Sequence, residues 1–429
     1  MKQIKNITIL HLNPNNQIKA QLESNYKASY PEAIFEIYDL SEYDIKNCIG
    51  CWNCWVKTPG RCVHKDKLSE CYFAIINTDI CVFSHEVKNG FLSGNSKTCM
   101  DRLIPLFHPH IKIVNNEMMH YERYASMPQM HYAYSLAPNE KELTQREINC
   151  LEGYFFRCNE HFRAKGMMHQ LNSDSIISSK DTMTRISPII PEKMKNMSSP
   201  ISSSSKIAIY NGSPRGTASN TLLLVEQFKK GLLIEGILEE QIEVHNLSQI
   251  SKHEEIASKF YDVDYHMFIM PLYVHSMPGI VKHFVDAVES SASDNKNIPS
   301  PKVGFFVQSG FKEGYQSFYC RAALETICIH NSWIYSGCGI KGGMEGLRLT
   351  PEKANAKIYS AFNELGSYFA KNGYLPYDVL DELIKPVHLT KSLKLAFTLL
   401  PNKLIKLYWD SQMKKNKVIE QSYAQPYKK

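Results

Sequence analysis

The chain has 429 residues, 43% hydrophobic and 21% charged, with a formal net charge of +6. That balance excludes wholesale disorder, a collagen-like repeat and a disulfide-stapled miniprotein. The charge is too dilute for a nucleic-acid binder, and no run of about 18 uncharged apolar residues is present to span a membrane.

At about 100–200 residues per domain, the length suits two or three domains. The opening MKQIKNITILHLNPNNQ has a short apolar core and no small-residue cleavage site. It reads as a first strand and not as a secretory signal, so a cytoplasmic location is expected. ITILHLN (7–13) is followed by a helix and by a second strand, AIFEIYDL (33–40). A cysteine-rich loop and a short helix lead to TDICVFSHEV (78–87), then to IKIVNNE (111–117) and a polar helix near 140–165. Residues 191–205, PEKMKNMSSPISSSS, have the composition of an exposed linker.

After the linker the rhythm repeats. Ile207 and Ile209 mark a buried strand, Asn211 to Gly216 a turn, and a helix begins near Ser219. QIEVHNL (241–247), YHMFIMPLY (265–273), VGFFVQSG (303–310) and WIYSGCG (333–339) read as further strands, with helical stretches between them. Strands alternating with helices predict an α/β fold with parallel sheets covered on both faces. Asp79-Ile-Cys-Val-Phe-Ser and Asp264-Tyr-His-Met-Phe-Ile occupy equivalent places, which predicts a duplicated unit. The expected division is 1–190, linker 191–205, 206–374, and a basic helical extension over 375–429. The extension is amphipathic; an arm packed on protein is the expected reading, and an anionic membrane surface the alternative.

Two segments carry chemistry. The turn Asn211-Gly-Ser-Pro-Arg-Gly-Thr-Ala-Ser-Asn-Thr221 joins a strand to a helix. Gly212 and Gly216 permit close backbone approach, Ser213, Ser219, Asn220 and Thr221 supply polar donors, and Arg215 adds charge. Such a turn suits a phosphate at a helix N-terminus, although Ser219 as a plain N-cap is the simpler alternative. The second segment holds four of the twelve cysteines, Cys48, Cys51, Cys54 and Cys62, spaced C-x2-C-x2-C-x7-C. Without an export signal, a metal or redox site is the better reading than disulfides. Three neighbouring thiols separated by two-residue spacers can wrap one side of a cube, and the fourth comes from a short loop flexed by Pro59 and Gly60. A cluster, a zinc ion and free thiols all remain open on this spacing. Cys71, Cys81, Cys99, Cys150, Cys158, Cys320, Cys328 and Cys338 sit in helix or strand patterns and read as core thiols.

The turn after Ile209 resembles the phosphate loop of NAD(P)H-dependent FMN reductases. A second stretch, Pro271-Leu-Tyr-Val-His-Ser-Met-Pro-Gly279, resembles the loop that wraps the isoalloxazine ring in that family. Gln308-Ser-Gly310 occupies the place of a small-residue flavin loop. The cysteine spacing is similar to that of iron–sulfur flavoproteins, and Met100-Asp101-Arg102 resembles a D-R pair of the same family. The resemblance implies two tandem flavodoxin-like domains with five-stranded parallel sheets. It implies FMN on Ser213, Pro214, Arg215, Gly216, Ser219, Asn220, Thr221, Pro271, Leu272, Tyr273, Val274, Ser276, Met277, Gly279, Ser309 and Gly310. It implies a [4Fe–4S] cluster on Cys48, Cys51, Cys54 and Cys62. Tyr273 and His275 are the catalytic candidates; a structural hydrogen-bonding role is the alternative for His275.

Departures from the pattern are complementary. The first half reads His11-Leu-Asn-Pro-Asn-Asn-Gln17 and Ser84-His-Glu-Val-Lys-Asn-Gly90 where the family has its flavin loops, so no FMN is expected there. The second half reads Asn246-Leu-Ser-Gln-Ile-Ser-Lys-His253 at the cysteine-loop position and holds no cluster ligand. An internal pseudo-dimer, with cluster and flavin supplied by different halves, is one account; drift of an inert first half is the other. The leading expectation is an oxidoreductase passing electrons between cluster and FMN. The alternatives are a cluster-free NAD(P)H-dependent quinone, azo or nitro reductase and a non-enzymatic sensor. NAD(P)H or reduced ferredoxin is the expected donor, and a small molecule or a redox protein the partner. No nucleic-acid or membrane partner is expected, and a homodimer is left open.

Overall fold

The computed structural model describes residues 3–138, 140–170, 176–177, 182–186, 198–291, 300–375, 377–399 and 401–429. Of the linker read at 191–205, residues 191–197 lie outside the described residues. The chain divides into two compact units, Met1–Arg185 with Lys391–Lys429, and Ile186–Thr390. The segment read as one extension therefore splits: 375–390 fold with the second unit, and 391–429 return to the first.

The first unit runs β1 (Asn6–His11), α1 (Asn16–Ser29), β2 (Ile34–Asp39), α2 (Asn53–Val56), α3 (Lys67–Ile76), β3 (Ile80–Lys88), β4 (Phe91–Leu92), α4 (Gly94–Asp101), β5 (Phe107–Val114), β6 (Glu117–Glu122), β7 (Gln129–Leu136), α5 (Gln145–Phe162), β8 (Met168–Gln170) and β9 (Ile176–Ile177). Its sheet has the order β2-β1-β3-β7-β8-β9, parallel as far as β8. The central strand β1 is buried on both faces, whereas the edge strand β2 is only half-buried. Ile18, Leu22 and Tyr26 of α1 cover Ile7, Ile9, Ile80 and Val82 on one face. Phe155 of α5 stacks on Tyr132 at 4.3 Å on the other. The stretch IKIVNNE does not supply the fourth parallel strand. Ile111–Val114 pair antiparallel with Glu117–His120 in a separate hairpin, and β7 takes the fourth place.

The second unit runs β10 (Ile207–Asn211), α6 (Asn220–Ile234), β11 (Ile242–Asn246), α7 (His253–Ser258), β12 (Tyr265–Pro271), α8 (Gly279–Ser291), β13 (Lys302–Gln308), α9 (Phe318–His330), β14 (Ile334–Lys341), α10 (Glu352–Asn372) and α11 (Tyr377–Leu383). Its five strands are all parallel in the order β11-β10-β12-β13-β14. This 2-1-3-4-5 order is that of flavodoxin-like folds, and the first unit repeats it through β8. Successive residues of a strand point to opposite faces. Ile207 and Ile209 accordingly pack under α6 and α10 with Leu224, Phe228, Phe362 and Phe369, while Tyr210 meets Phe284 of α8 at 5.0 Å. A buried phenylalanine contributes about 1.5–3 kcal/mol.

The two units share small signatures. Asp79 Oδ2 accepts from the Lys5 and Asn6 amides at 2.9 and 3.1 Å, and Asp264 Oδ2 from the Lys206 amide at 2.9 Å. Each aspartate thus ties the entry of its third strand to the start of its first. The helix after each third strand carries G-x-x-K-x-x-x-D, Gly94-Lys97-Asp101 in α4 and Gly279-Lys282-Asp286 in α8. Both lysines are 0% exposed and salt-bridged to the aspartate one turn on. Removing one partner of such a pair leaves a buried charge, costing about 3–5 kcal/mol. The helices α12 (Lys391–Leu399) and α13 (Pro401–Lys415) complete the chain's regular elements.

Candidate active site

In the second unit the loops after β10, β12, β13 and β14 leave the carboxyl edge of the sheet. The strand order reverses between β10 and β12, where open α/β sheets bind ligands. Asn211, fully buried, organises the first loop: its Nδ2 donates to Gly216 O at 2.9 Å and to Asn246 Oδ1 at 2.8 Å, and its Oδ1 accepts from the Ser213 amide at 3.2 Å. Gly216 has φ +53°, and a Cβ there would stand 2.5 Å from Ser248 Oγ. Only glycine fits. Ser219 is the N-cap of α6, accepting from the Leu222 amide at 3.1 Å and donating to Gly216 O at 2.7 Å. Asn220 donates to Met344 O and Glu345 O at 2.9 and 2.8 Å, and Thr221 Oγ1 accepts from Gln308 at 3.4 Å. These three side chains shape the loop from within. Arg215 is exposed at its tip, while Ser213 and Pro214 are buried.

The second loop is a tight turn. Tyr273 and Ser276 exchange both backbone hydrogen bonds, at 2.8 and 3.0 Å. Val274 and His275 between them have φ of +40° and +60°, as a type I′ turn requires. A β-branched residue there is strained, and such strain gathers at functional sites. Tyr273 is half-buried, His275 and Met277 are buried, and Ser276 Oγ is buried with no hydrogen-bond partner. Pro271 ends β12, the Leu272 amide donates to Gln308 O at 2.7 Å, and Gly279 opens α8. In the third loop Ser309 donates to Phe311 O at 3.0 Å, and a Cβ built on Gly310 would stand 3.6 Å from Glu345 Oε2.

Glu345 belongs to the fourth loop, which sequence reasoning missed. Arg348 holds this loop over the start of α6, with Nε to Ser219 O at 2.8 Å and Nη2 to Thr217 O at 2.9 Å. Burial pushes the Glu345 carboxyl up to about 7, opposed by the Arg215 charge. The available signal was Gly342-Gly-Met-Glu-Gly-Leu-Arg348, a glycine-rich segment after the fifth strand.

In the first unit the corresponding edge is built differently. β3 runs on through Ser84 and His85 to Lys88 and turns back into β4. His11 Nδ1 and Ser84 Oγ are 3.1 Å apart, and Asn13 donates to Ser135 Oγ at 2.6 Å, all four buried.

The chemistry-bearing feature of this unit is the loop after β2. Cys48, Cys51, Cys54 and Cys62 line one cavity with Asp101 and Arg102. Gly50 (φ +61°) and Trp52 (φ +54°) bend the chain so that one turn of helix, α2, carries Cys54 inward. Burial pushes the Cys48 thiol up to about 12 and raises the Cys54 thiol as well, and Cys54 feels each of the other three cysteines. Arg102, 1% exposed, grips Asp66 with both Nη atoms at 2.8 and 2.9 Å; its Nε is buried without a partner. Four thiols thus share one cavity with a buried arginine. Among the described residues no group of three or more His, Cys, Asp or Glu is arranged around a single metal ion. The eight other cysteines are buried core thiols.

No protein-family model matches the chain, and no curated protein matches it. The chain is similar to the solved Trp repressor binding protein from Bacillus subtilis, at 19% identity over 37% of this chain and 97% of that one, with a TM-score of 0.28. An NAD(P)H:quinone oxidoreductase from Methanothermobacter marburgensis aligns at 16% identity over 38% and 95%, TM-score 0.31. A general stress protein 14 in complex with FMN from Treponema denticola aligns at 14% over 38% and 99%, TM-score 0.26. Among the described residues no helix is long and apolar enough to cross a membrane.

Proposed function

We propose that this chain is an FMN-dependent oxidoreductase whose second unit binds the flavin and whose first unit holds a [4Fe–4S] cluster. The observation that carries the flavin is the convergence, at the β10/β12 switch point, of a glycine-bearing helix N-terminus with a strained turn. Ser213, the Thr217 amide and the N-terminus of α6 would hold the phosphate, and Arg215 would neutralise it. Leu272 to Met277 and Gly279, with Ser309 and Gly310, would hold the ring. FMN exchanges electrons singly or as hydride, and a cluster passes one at a time. Glu345 Oε2 can hold or release a proton near neutrality beside that site, and His275 is the second candidate for the same task. Cys48, Cys51, Cys54 and Cys62 would ligate the cluster, with Arg102 lining the same cavity. NAD(P)H or reduced ferredoxin would be the donor.

The test is a count of FMN, iron and acid-labile sulfide on protein purified without oxygen, with spectra before and after dithionite. One FMN with four iron and four sulfide per chain is the expected result, and Cys54→Ser should lose the iron while keeping the flavin. FMN without iron in the unaltered chain would leave a cluster-free NAD(P)H reductase. Absence of FMN binding would overturn the reading of the second unit.

A further inference from the structure

The segment 401–429 returns to the first unit at the cysteine loop. Trp409, 6% exposed, packs edge-on against Trp52 at 5.0 Å and Trp55 at 5.4 Å. Met413, 0% exposed, joins the same apolar group, and Cys54 packs against it. Further along, Pro426 lies over Gly60, where a Cβ would stand 2.7 Å from the proline Cδ. The Tyr427 ring lies 5.3 Å from Tyr72 and under the Arg61 guanidinium at 5.4 Å, and its phenol is within electrostatic reach of Cys62.

Polar contacts fix the register of this segment. Arg123 Nη1 donates to Ser422 O at 3.1 Å and Ala424 O at 3.0 Å. His110 Nε2 meets Asp410 Oδ1 at 3.0 Å. Asn77 donates to Tyr427 O at 2.6 Å and accepts from the Lys429 amide at 3.0 Å.

We infer that residues 401–429 are a cover for the cysteine centre, with Trp409 closing the approach to Cys54 and Tyr427 the approach to Cys62. The physical reason is access. The apolar shell around a thiolate or metal centre controls water entry and the local dielectric, and with them reactivity and reduction potential. Cys51 is exposed and keeps solvent access. Trp409 and Tyr427 are positioning residues that act on the centre by excluding solvent. The cover bears on the cluster only if the cluster reading holds; its effect on the thiols does not depend on it.

The test is alkylation by iodoacetamide of the full chain stripped of iron, read cysteine by cysteine by mass spectrometry. In Trp409→Ala, Cys54 should react about tenfold faster, Cys51 at its original rate, and the core thiols Cys81 and Cys150 should stay protected. Trp409→Phe should restore protection of Cys54. An unchanged Cys54 rate, with the core thiols protected, would overturn the inference. If Trp409→Ala opens Cys81 and Cys150 as well, Tyr427→Ala decides: faster labelling confined to Cys62 supports the cover, and an unchanged rate overturns it. Where iron is present in the unaltered protein, Trp409→Ala should also lose it faster to a chelator. Failure of the cluster reading shows separately, as absence of iron from the unaltered chain.

Discussion

The carboxyl of Glu345 lies within electrostatic reach of the Arg215 guanidinium, although 130 residues separate the two in the chain. Arg215 favours the charged form of Glu345, burial disfavours it, and burial prevails: the group titrates near pH 7. Below that pH Glu345 is neutral and leaves Arg215 to a phosphate; above it, the carboxylate competes. FMN binding should therefore weaken as pH rises from 6 to 8. Glu345→Gln should bind FMN several-fold tighter at pH 8, about 1 kcal/mol, and nearly equally at pH 6. Fluorescence-quenching titrations at the two pH values check this, and an unchanged affinity at pH 8 contradicts it.

The strained turn at Val274 predicts a split between stability and binding. A left-handed non-glycine residue costs about 1–2 kcal/mol. Glycine removes that cost but loses about 0.5–1 kcal/mol through its unfolded-state freedom. Val274→Gly should accordingly melt within a few degrees of the original chain while binding FMN several-fold more weakly, because the turn is no longer held. A large fall in melting temperature would show that the turn is unstrained.

Helices α6 and α10 cross at glycine. A Cβ on Gly231 would stand 2.0 Å from Asn363 O and 2.8 Å from the Ser367 amide nitrogen, both of them backbone atoms that cannot swing aside. Alanine improves helix propensity by about 1 kcal/mol, yet overpacking costs about 1–3 kcal/mol. The hydrogen bond from Ser367 Oγ to Gly231 O, 3.1 Å, would be strained as well. Gly231→Ala should destabilise the second unit by about 1–2 kcal/mol in urea denaturation, against the gain expected from an exposed helix.

His85 predicts acid sensitivity of the first unit. It is 0% exposed, lies beside the stacked Tyr132 and Phe155 rings at 6.2 and 5.5 Å, and burial lowers its pKa to about 3. Above pH 6.5 neither folded nor unfolded chain protonates it, so it adds no pH dependence. Between about 6.5 and 3 only the unfolded chain binds the proton, and stability falls as pH falls, by up to about 1.4 kcal/mol per pH unit. His108, also lowered to about 3, and His120, lowered to about 4, act in the same direction. His85→Phe should reduce the slope of stability against pH by about one proton between pH 6 and 4, measured by denaturant midpoints. An unchanged slope would show that His85 titrates in the fold.

What the residues determine by themselves is local. Ile207 and Ile209, then Gly212 and Gly216, then Ser219 spell a strand, a turn and an N-cap within fifteen residues, because hydrophobic period, φ > 0 and capping are each decided by near neighbours. The same holds for the cysteine spacing. Only the tertiary structure assigned the fourth strand to Gln129–Leu136. Its His131 and Ser135 are buried polar groups that blur the apolar pattern, whereas Ile111–Val114, equally apolar, pairs with its own hairpin partner. The lysine and aspartate of each G-x-x-K-x-x-x-D stand at i,i+4 spacing, and it is the fold that buries them. Likewise nothing near Trp409 in the chain points to Trp55, nor anything near Glu345 to Arg215. Those contacts join residues more than a hundred positions apart, and chain folding, not local preference, brings them together.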